Sequence, residues 1–166
     1  MQNKVVHTLA RAMQELGAPT VRFNFRGVGA SAGTYDDGAG EARDALAAIR
    51  WARAHWDCDG LWLAGFSFGA AIALNITTEA SPAALVTVAP PVKRVAITLT
   101  ARPACPWLIV QGDTDDLVRA EDVEQWASRF SPPPRVAKLA GAEHFFHGRL
   151  GDLRSAVIEF LREPGG

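Results

Sequence analysis

The sequence has only two cysteines and no run of basic residues. Cys58 and Cys105 are far apart and form no C-x-x-C pair, so we expect neither a disulfide framework nor a metal site of the zinc type. We predict that both thiols pack near the core. Seventeen Lys and Arg residues are balanced by eighteen Asp and Glu residues, for a net charge of -1, which argues against a nucleic-acid partner.

The sequence also lacks a long apolar run. The longest, residues 61–74, is interrupted by Ser67 and is shorter than the ~18 residues that a membrane-spanning helix needs. In the first eleven residues the polar side chains are too closely spaced for the apolar segment of a signal peptide. We therefore expect a cytoplasmic protein with no membrane partner.

The chain of 166 residues has the length of one domain, with 48% hydrophobic and 21% charged residues. Amphipathic helical patterns alternate with short apolar runs, which is typical of βαβ units. We expect a single α/β domain in which helices cover both faces of a mainly parallel sheet.

The hydrophobic spacing predicts the position of each element. Helices are expected over residues 5–16, 40–55, 70–79, 120–130 and 152–162. Strands are expected over residues 20–25, 61–64, 84–88, 107–111 and 136–139. Residues 94–100 fit a short strand, a poor helix or a covering loop. Because fewer than twenty residues separate the strands at Val88 and Trp107, no cap domain fits between them, and we expect an open site.

A G-x-S-x-G pattern, Gly65-Phe66-Ser67-Phe68-Gly69, lies between a predicted strand and a predicted helix. In this context the serine sits on a tight turn, and small flanking residues allow the strand and the helix to approach. A serine becomes a nucleophile when a base removes its proton and donors stabilise the oxyanion. We predict that Ser67 is the nucleophile and that the backbone N–H of Phe68 is the first oxyanion donor.

A base and an acid should follow such a serine, each in a loop after a strand. His7 and His55 precede Ser67, which leaves His144 and His147. His144 lies in the loop after the strand at 136–139 and is the predicted base, whereas His147 comes one helical turn later.

An imidazole base needs a carboxylate to fix its tautomer. The loop after the strand at 107–111 offers three, Asp113, Asp115 and Asp116, and composition alone does not choose among them.

Four segments together resemble the small lidless bacterial α/β-hydrolases related to dienelactone hydrolase and short-chain carboxylesterases. They are Arg22-Phe-Asn-Phe-Arg-Gly-Val-Gly-Ala-Ser31, Gly65 to Gly69, Gly112-x-x-Asp115-x-x-Val118 and Gly141-Ala-Glu-His144-Phe-Phe-His-Gly148. The resemblance implies that Asp115 completes the triad and that Asp113 and Asp116 shape the loop or are solvated. Dienelactone hydrolases use cysteine, so Ser67 favours their esterase relatives.

The same resemblance implies that strands are missing at the amino terminus, because the chain starts inside the family's first helix. One missing strand would lie between residues 20–25 and 61–64, and the loop after the strand that precedes the first helix normally supplies a second oxyanion donor. We therefore expect a truncated hydrolase with impaired activity on small esters, thioesters or lactones. The alternative is a non-catalytic binding or scaffold domain. An exposed sheet edge would favour a homo-oligomer.

Another pattern, G-x-G-x-x-A over residues 27–32, suggests a dinucleotide-binding turn. Such a turn should open a helix at once, but residues 31–38 have a loop composition, so we expect no cofactor. Arg26 beside this loop could contact an anionic substrate, but a loop-stabilising role is favoured.

Overall fold

The computed structural model describes residues 3–163 and has an α/β architecture. Six helices fall within this range: α1 (Lys4–Glu15), α2 (Ala39–His55), α3 (Phe68–Asn75), α4 (Thr77–Ala80), α5 (Ala120–Ala127) and α6 (Leu150–Arg162). Four strands fall within it: β1 (Trp62–Phe66), β2 (Ala84–Val88), β3 (Trp107–Gly112) and β4 (Arg135–Leu139). The strands form one parallel sheet in the order β1-β2-β3-β4. The predicted fold class is confirmed.

The strands bury both faces, which explains their nearly continuous apolar sequences. On β2, Val86 and Val88 point into a core shared with α1 and α6, whereas Leu85 points into a second core against α3 and α5. All residues of β2 and β3 are buried. The two central strands therefore form a rigid base, and the loops at their carboxyl ends are held in fixed positions.

Helix α2 packs beside α3 through a third apolar cluster that includes Ile49 and Ile72. Its first turn is capped by the buried carboxylate of Glu41, which accepts hydrogen bonds from the backbone N–H groups of Gly38 and Asp36. The cap fixes the end of the loop that precedes α2.

The strand predicted at residues 20–25 is wrong. These residues belong to no strand, and the side chains of Val21 and Phe23 are exposed. A strand exists only when a neighbour pairs with its backbone, and this segment has no ladder partner among residues 3–163. The alternating sequence of the segment indicates an extended chain but does not supply that partner.

Smaller differences concern boundaries and cysteines. The helix predicted over 70–79 is two helices, because the chain breaks at Ile76, and the helix predicted over 120–130 ends at Ala127. Residues 94–100 form no regular element.

Cys105 is buried as predicted, whereas Cys58 is exposed because it lies in the polar loop after α2. Burial raises the pKa of the Cys105 thiol.

None of the helices within residues 3–163 combines the length and the apolar character needed to cross a bilayer.

Candidate active site

Ser67 occupies a sharp turn between β1 and α3. Its backbone has φ 51° and ψ -119°, an uncommon conformation for a residue with a side chain. The Ser67 N–H donates a hydrogen bond of 2.8 Å to the carbonyl of Val88 on the neighbouring strand, which holds the turn against the sheet. Helix α3 begins at the next residue, Phe68, so the serine lies at its amino end.

Gly65 permits this turn because the strand and the helix come very close there. A Cβ atom at Gly65 would collide with the backbone of Gly69 and Ala70, whereas one at Gly69 would meet nothing within 4 Å. The first glycine of the motif is therefore required by close approach.

His144 lies within hydrogen-bond distance of Ser67. Its Nε2 atom is 3.1 Å from the Ser67 Oγ, and its Nδ1 atom is 2.8 Å from the Asp115 Oδ2. The side chains of His144 and Asp115 are both buried, at 6% and 0% exposed. The structure thus brings together the three side chains predicted from distant parts of the sequence.

Asp115 is held by several donors. Its Oδ1 accepts hydrogen bonds from the backbone N–H groups of Leu117 (2.9 Å) and Val118 (2.7 Å), and the Gln111 Nε2 lies 3.2 Å from its Oδ2. These contacts fix the plane of the carboxylate and direct Oδ2 toward the imidazole.

The alternative side chains have other roles. Asp113 accepts a hydrogen bond of 2.6 Å from the Gly141 N–H and so joins two loops, and Asp116 is exposed. His147 is exposed and its Nδ1 is 2.8 Å from the Glu143 Oε1.

Known proteins resemble this chain in sequence and in structure. The family model described as X-Pro dipeptidyl-peptidase (S15 family) matches residues 7–98. A solved α/β serine hydrolase homologue from Coxiella burnetii is 51% identical, with a TM-score of 0.91 over 97% of this chain and 77% of that chain. The chain belongs to the S15 family of α/β serine hydrolases.

Two further relatives are similar to this chain over nearly its whole length. A Xanthomonas campestris protein described as an α/β serine hydrolase without a lid is 43% identical, with a TM-score of 0.93 over 98% of this chain and 74% of that chain. An uncharacterized Rickettsia prowazekii protein is 33% identical over 97% of this chain and 72% of its own length. The predicted resemblance to lidless α/β-hydrolases is confirmed. This hydrolase chain spans about three quarters of each of these relatives.

The backbone N–H of Phe68 is available at the amino end of α3. It donates no hydrogen bond within the part of the chain that the structure describes. The first N–H groups of a helix have no partner inside the helix and carry its positive partial charge, so they can stabilise an anion beside Ser67.

The Arg26 side chain of this hydrolase is paired within the protein. Its Nε and one terminal nitrogen contact the two carboxylate oxygens of Asp44 at 3.1 and 2.8 Å, and its backbone N–H also donates to that carboxylate. This hydrogen bonding to Asp44 raises the pKa of Arg26 and lowers that of Asp44. The bidentate pair connects the 26–38 loop to α2, which is the loop-stabilising role predicted for Arg26.

Helix α2 begins only at Ala39, so the glycine pattern at 27–32 does not open a helix.

Two residues that position the candidate site were missed from the sequence. Gln111 is a buried amide at the end of the apolar strand β3, and Glu143 accepts hydrogen bonds from the backbone N–H groups of Phe145 and His147. Those bonds lower the pKa of Glu143 below its ordinary value, with the bond from His147 the largest cause. The available sequence signal for Gln111 was a polar residue at the end of an otherwise apolar strand.

A cavity of about 440 Å³ lies elsewhere in this hydrolase, between α4 and residues 98–105. It is near the end of the sheet where the strands begin, and its lining includes none of Ser67, Asp115 and His144. The three side chains instead meet where the strands end, the edge at which open α/β sheets bind ligands.

Gly112 allows the two loops behind this site to meet. A Cβ atom at Gly112 would collide with the backbone carbonyl of Ala142, two residues before His144. We predict that Gly112→Ala lowers the free energy of unfolding by about 1–3 kcal/mol, because neither backbone can move easily. Gly151→Ala, at a helical glycine with nothing within 4 Å, should raise it by about 0.5–1 kcal/mol. Chemical denaturation of both variants measures the contrast, and an unchanged Gly112→Ala would contradict it.

Proposed function

We propose that this chain hydrolyses small carboxylic esters through an acyl-enzyme on Ser67. The observation that carries the proposal is the continuous contact from Ser67 through His144 to Asp115, at 3.1 and 2.8 Å. Thioesters and lactones share this acyl-transfer chemistry and belong to the same proposal.

In the proposed reaction the Ser67 Oγ attacks the ester carbonyl while the His144 Nε2 takes its proton. Asp115 keeps the other proton of the imidazole on Nδ1 and stabilises the imidazolium. The Phe68 N–H donates to the oxyanion of the tetrahedral intermediate. When the intermediate collapses, His144 gives its proton to the leaving oxygen, the alcohol departs and an acyl-serine forms. Water, activated by His144, then attacks this ester, and the acid and free Ser67 are released.

The family match favours a second candidate, cleavage of an X-Pro dipeptide from a peptide chain. Both reactions use the same triad, but an amide requires protonation of a poorer leaving group and strong stabilisation of the oxyanion. Among residues 3–163 we identify one oxyanion donor, the Phe68 N–H. A site with one donor is better suited to esters than to amides.

A panel of p-nitrophenyl acyl esters and Ala-Pro-p-nitroanilide tests the two candidates. We expect turnover of short acyl esters, little turnover of the anilide and none of either by Ser67→Ala. Faster cleavage of the anilide would favour the peptidase. A folded wild-type chain with no turnover of any substrate would favour the alternative of a non-catalytic binding or scaffold domain.

The edge of β1 that faces away from β2 is relevant to the expected rate of ester hydrolysis. Among residues 3–163 this strand pairs only with β2, and Trp62, Leu63 and Ala64 are half-buried, unlike the residues of β2. We propose, from the family resemblance, that a further strand belongs between β1 and residues 20–25 and that the loop after it supplies a second oxyanion donor. The greater length of the relatives supports this proposal.

We predict that a chain extended upstream by this strand and loop turns over esters about 100- to 1,000-fold faster, since one oxyanion donor has this effect. The measurement is kcat for p-nitrophenyl acetate with both chains. Equal rates would contradict the proposal.

Size-exclusion chromatography of the unextended chain tests whether a second copy of the chain covers the edge of β1 instead, in which case the chain is a dimer.

A further inference from the structure

Two adjacent phenylalanines after His144 have opposite environments. Phe146 is fully buried in the core formed by α1, α6 and the sheet, whereas Phe145 is 44% exposed. Phe146 has φ 56°, in the left-handed region that residues with side chains seldom adopt. The turn thus accepts an unfavourable backbone conformation while it directs a large apolar side chain toward solvent. Strain of this kind is concentrated at functional sites.

The turn that presents Phe145 is well fixed. The Glu143 carboxylate accepts hydrogen bonds from the Phe145 N–H at 3.2 Å and from the His147 N–H at 2.8 Å. The Phe146 N–H donates a hydrogen bond to the Glu143 carbonyl, and the Phe146 carbonyl accepts a hydrogen bond from the Arg149 N–H. With the buried Phe146 ring as an anchor, the position of Phe145 is determined by the fold.

Phe145 also lies directly beside the proposed base. Its ring meets the His144 ring edge to face, with centroids 5.1 Å apart, and it lies 6.0 Å from the ring of Phe66. Phe66 in turn is 5.0 Å from His144. The imidazole is therefore flanked by one buried and one exposed aromatic ring.

This position has a consequence for the substrate. In the proposed reaction His144 donates its proton to the oxygen of the departing alcohol, which must come within hydrogen-bond distance of Nε2. Groups attached to that oxygen then lie beside the imidazole, where the Phe145 ring is the neighbouring exposed apolar surface. The acyl group, in contrast, is bonded to Ser67.

We propose that Phe145 determines specificity by binding the alcohol part of the ester, and that the preferred substrates are esters of aromatic alcohols. This inference rests on the proposed function. An aromatic ring in the substrate can pack against Phe145 and remove both surfaces from water, whereas a methyl or ethyl group is too small to do so.

The test compares hydrolysis of benzyl acetate and ethyl acetate, which share the acyl group and differ in the alcohol. In Phe145→Ala the ratio of kcat/KM for benzyl acetate to that for ethyl acetate should fall roughly tenfold, the usual scale of one aromatic contact. Phe145→Tyr keeps the ring and should keep the ratio. Trp51→Ala is the matched control, because Trp51 is 49% exposed and stacks on His55 of α2.

An unchanged ratio in Phe145→Ala would overturn the assignment, as would an equal fall for both esters, which indicates a structural effect on His144. Both results require a wild-type chain that hydrolyses esters. If the folded wild type hydrolyses neither acetate and none of the p-nitrophenyl esters, the proposed function itself fails and the specificity assignment falls with it.

Discussion

Replacement of His144 by alanine is expected to lower kcat for p-nitrophenyl acetate by about 10⁴- to 10⁶-fold, as removal of a base that acts as a unit with its nucleophile does. The imidazole lies 3.1 Å from the Ser67 Oγ, and without it the hydroxyl has no group to take its proton. Ser67→Ala should have a similar effect. The double variant should be no worse than either single variant, because the two side chains perform one step.

His147→Ala is the control for this series. His147 has the same chemistry and lies three residues away, but it is exposed and paired with Glu143. Its loss should change kcat by less than about tenfold. If His147→Ala were the more damaging substitution, the assignment of the base to His144 would be wrong.

Asp115→Asn should reduce kcat by about 10⁴-fold, the usual effect of the wrong imidazole tautomer. The asparagine oxygen would still accept from the Leu117 and Val118 N–H groups, which leaves its NH₂ group facing the His144 Nδ1. Nδ1 would then have to accept a hydrogen bond, and the proton would move to Nε2. An imidazole in that form cannot take the proton of Ser67.

Asp113→Asn provides a matched comparison two residues away. Asp113 contacts the Gly141 N–H, and an asparagine oxygen can accept the same hydrogen bond. We expect nearly wild-type kcat for this variant. Comparable losses in Asp113→Asn and Asp115→Asn, measured with p-nitrophenyl acetate, would contradict the role of Asp115.

The sequence was most informative where a local pattern determines a local structure. The G-x-S-x-G motif predicted the turn at Ser67 because the close approach of strand and helix requires a residue without a side chain at Gly65. Position in the loop directly after the strand favoured His144 over His147, which comes one helical turn later. The choice of Asp115 needed the family resemblance, since three carboxylates in one loop differ mainly in which backbone N–H groups they meet.

Features that depend on distant partners were not predictable in the same way. Residues 20–25 have the alternation of a strand, but pairing depends on a neighbour that local sequence does not specify. The support of Asp115 by Gln111 arises only when the 113–118 loop folds back over the end of β3. The contrast between Phe145 and Phe146 depends on a left-handed residue in a turn that Glu143 stabilises.

Covalent labelling of the folded chain with a fluorophosphonate, followed by mass spectrometry to locate the modified residue, tests whether Ser67 is an activated nucleophile. We expect a single adduct on the Ser67 Oγ, formed by wild type and lost in His144→Ala, because only a serine whose proton is taken by the imidazole attacks phosphorus quickly. A folded wild-type chain that stays unmodified, or one labelled equally well without His144, would contradict this expectation.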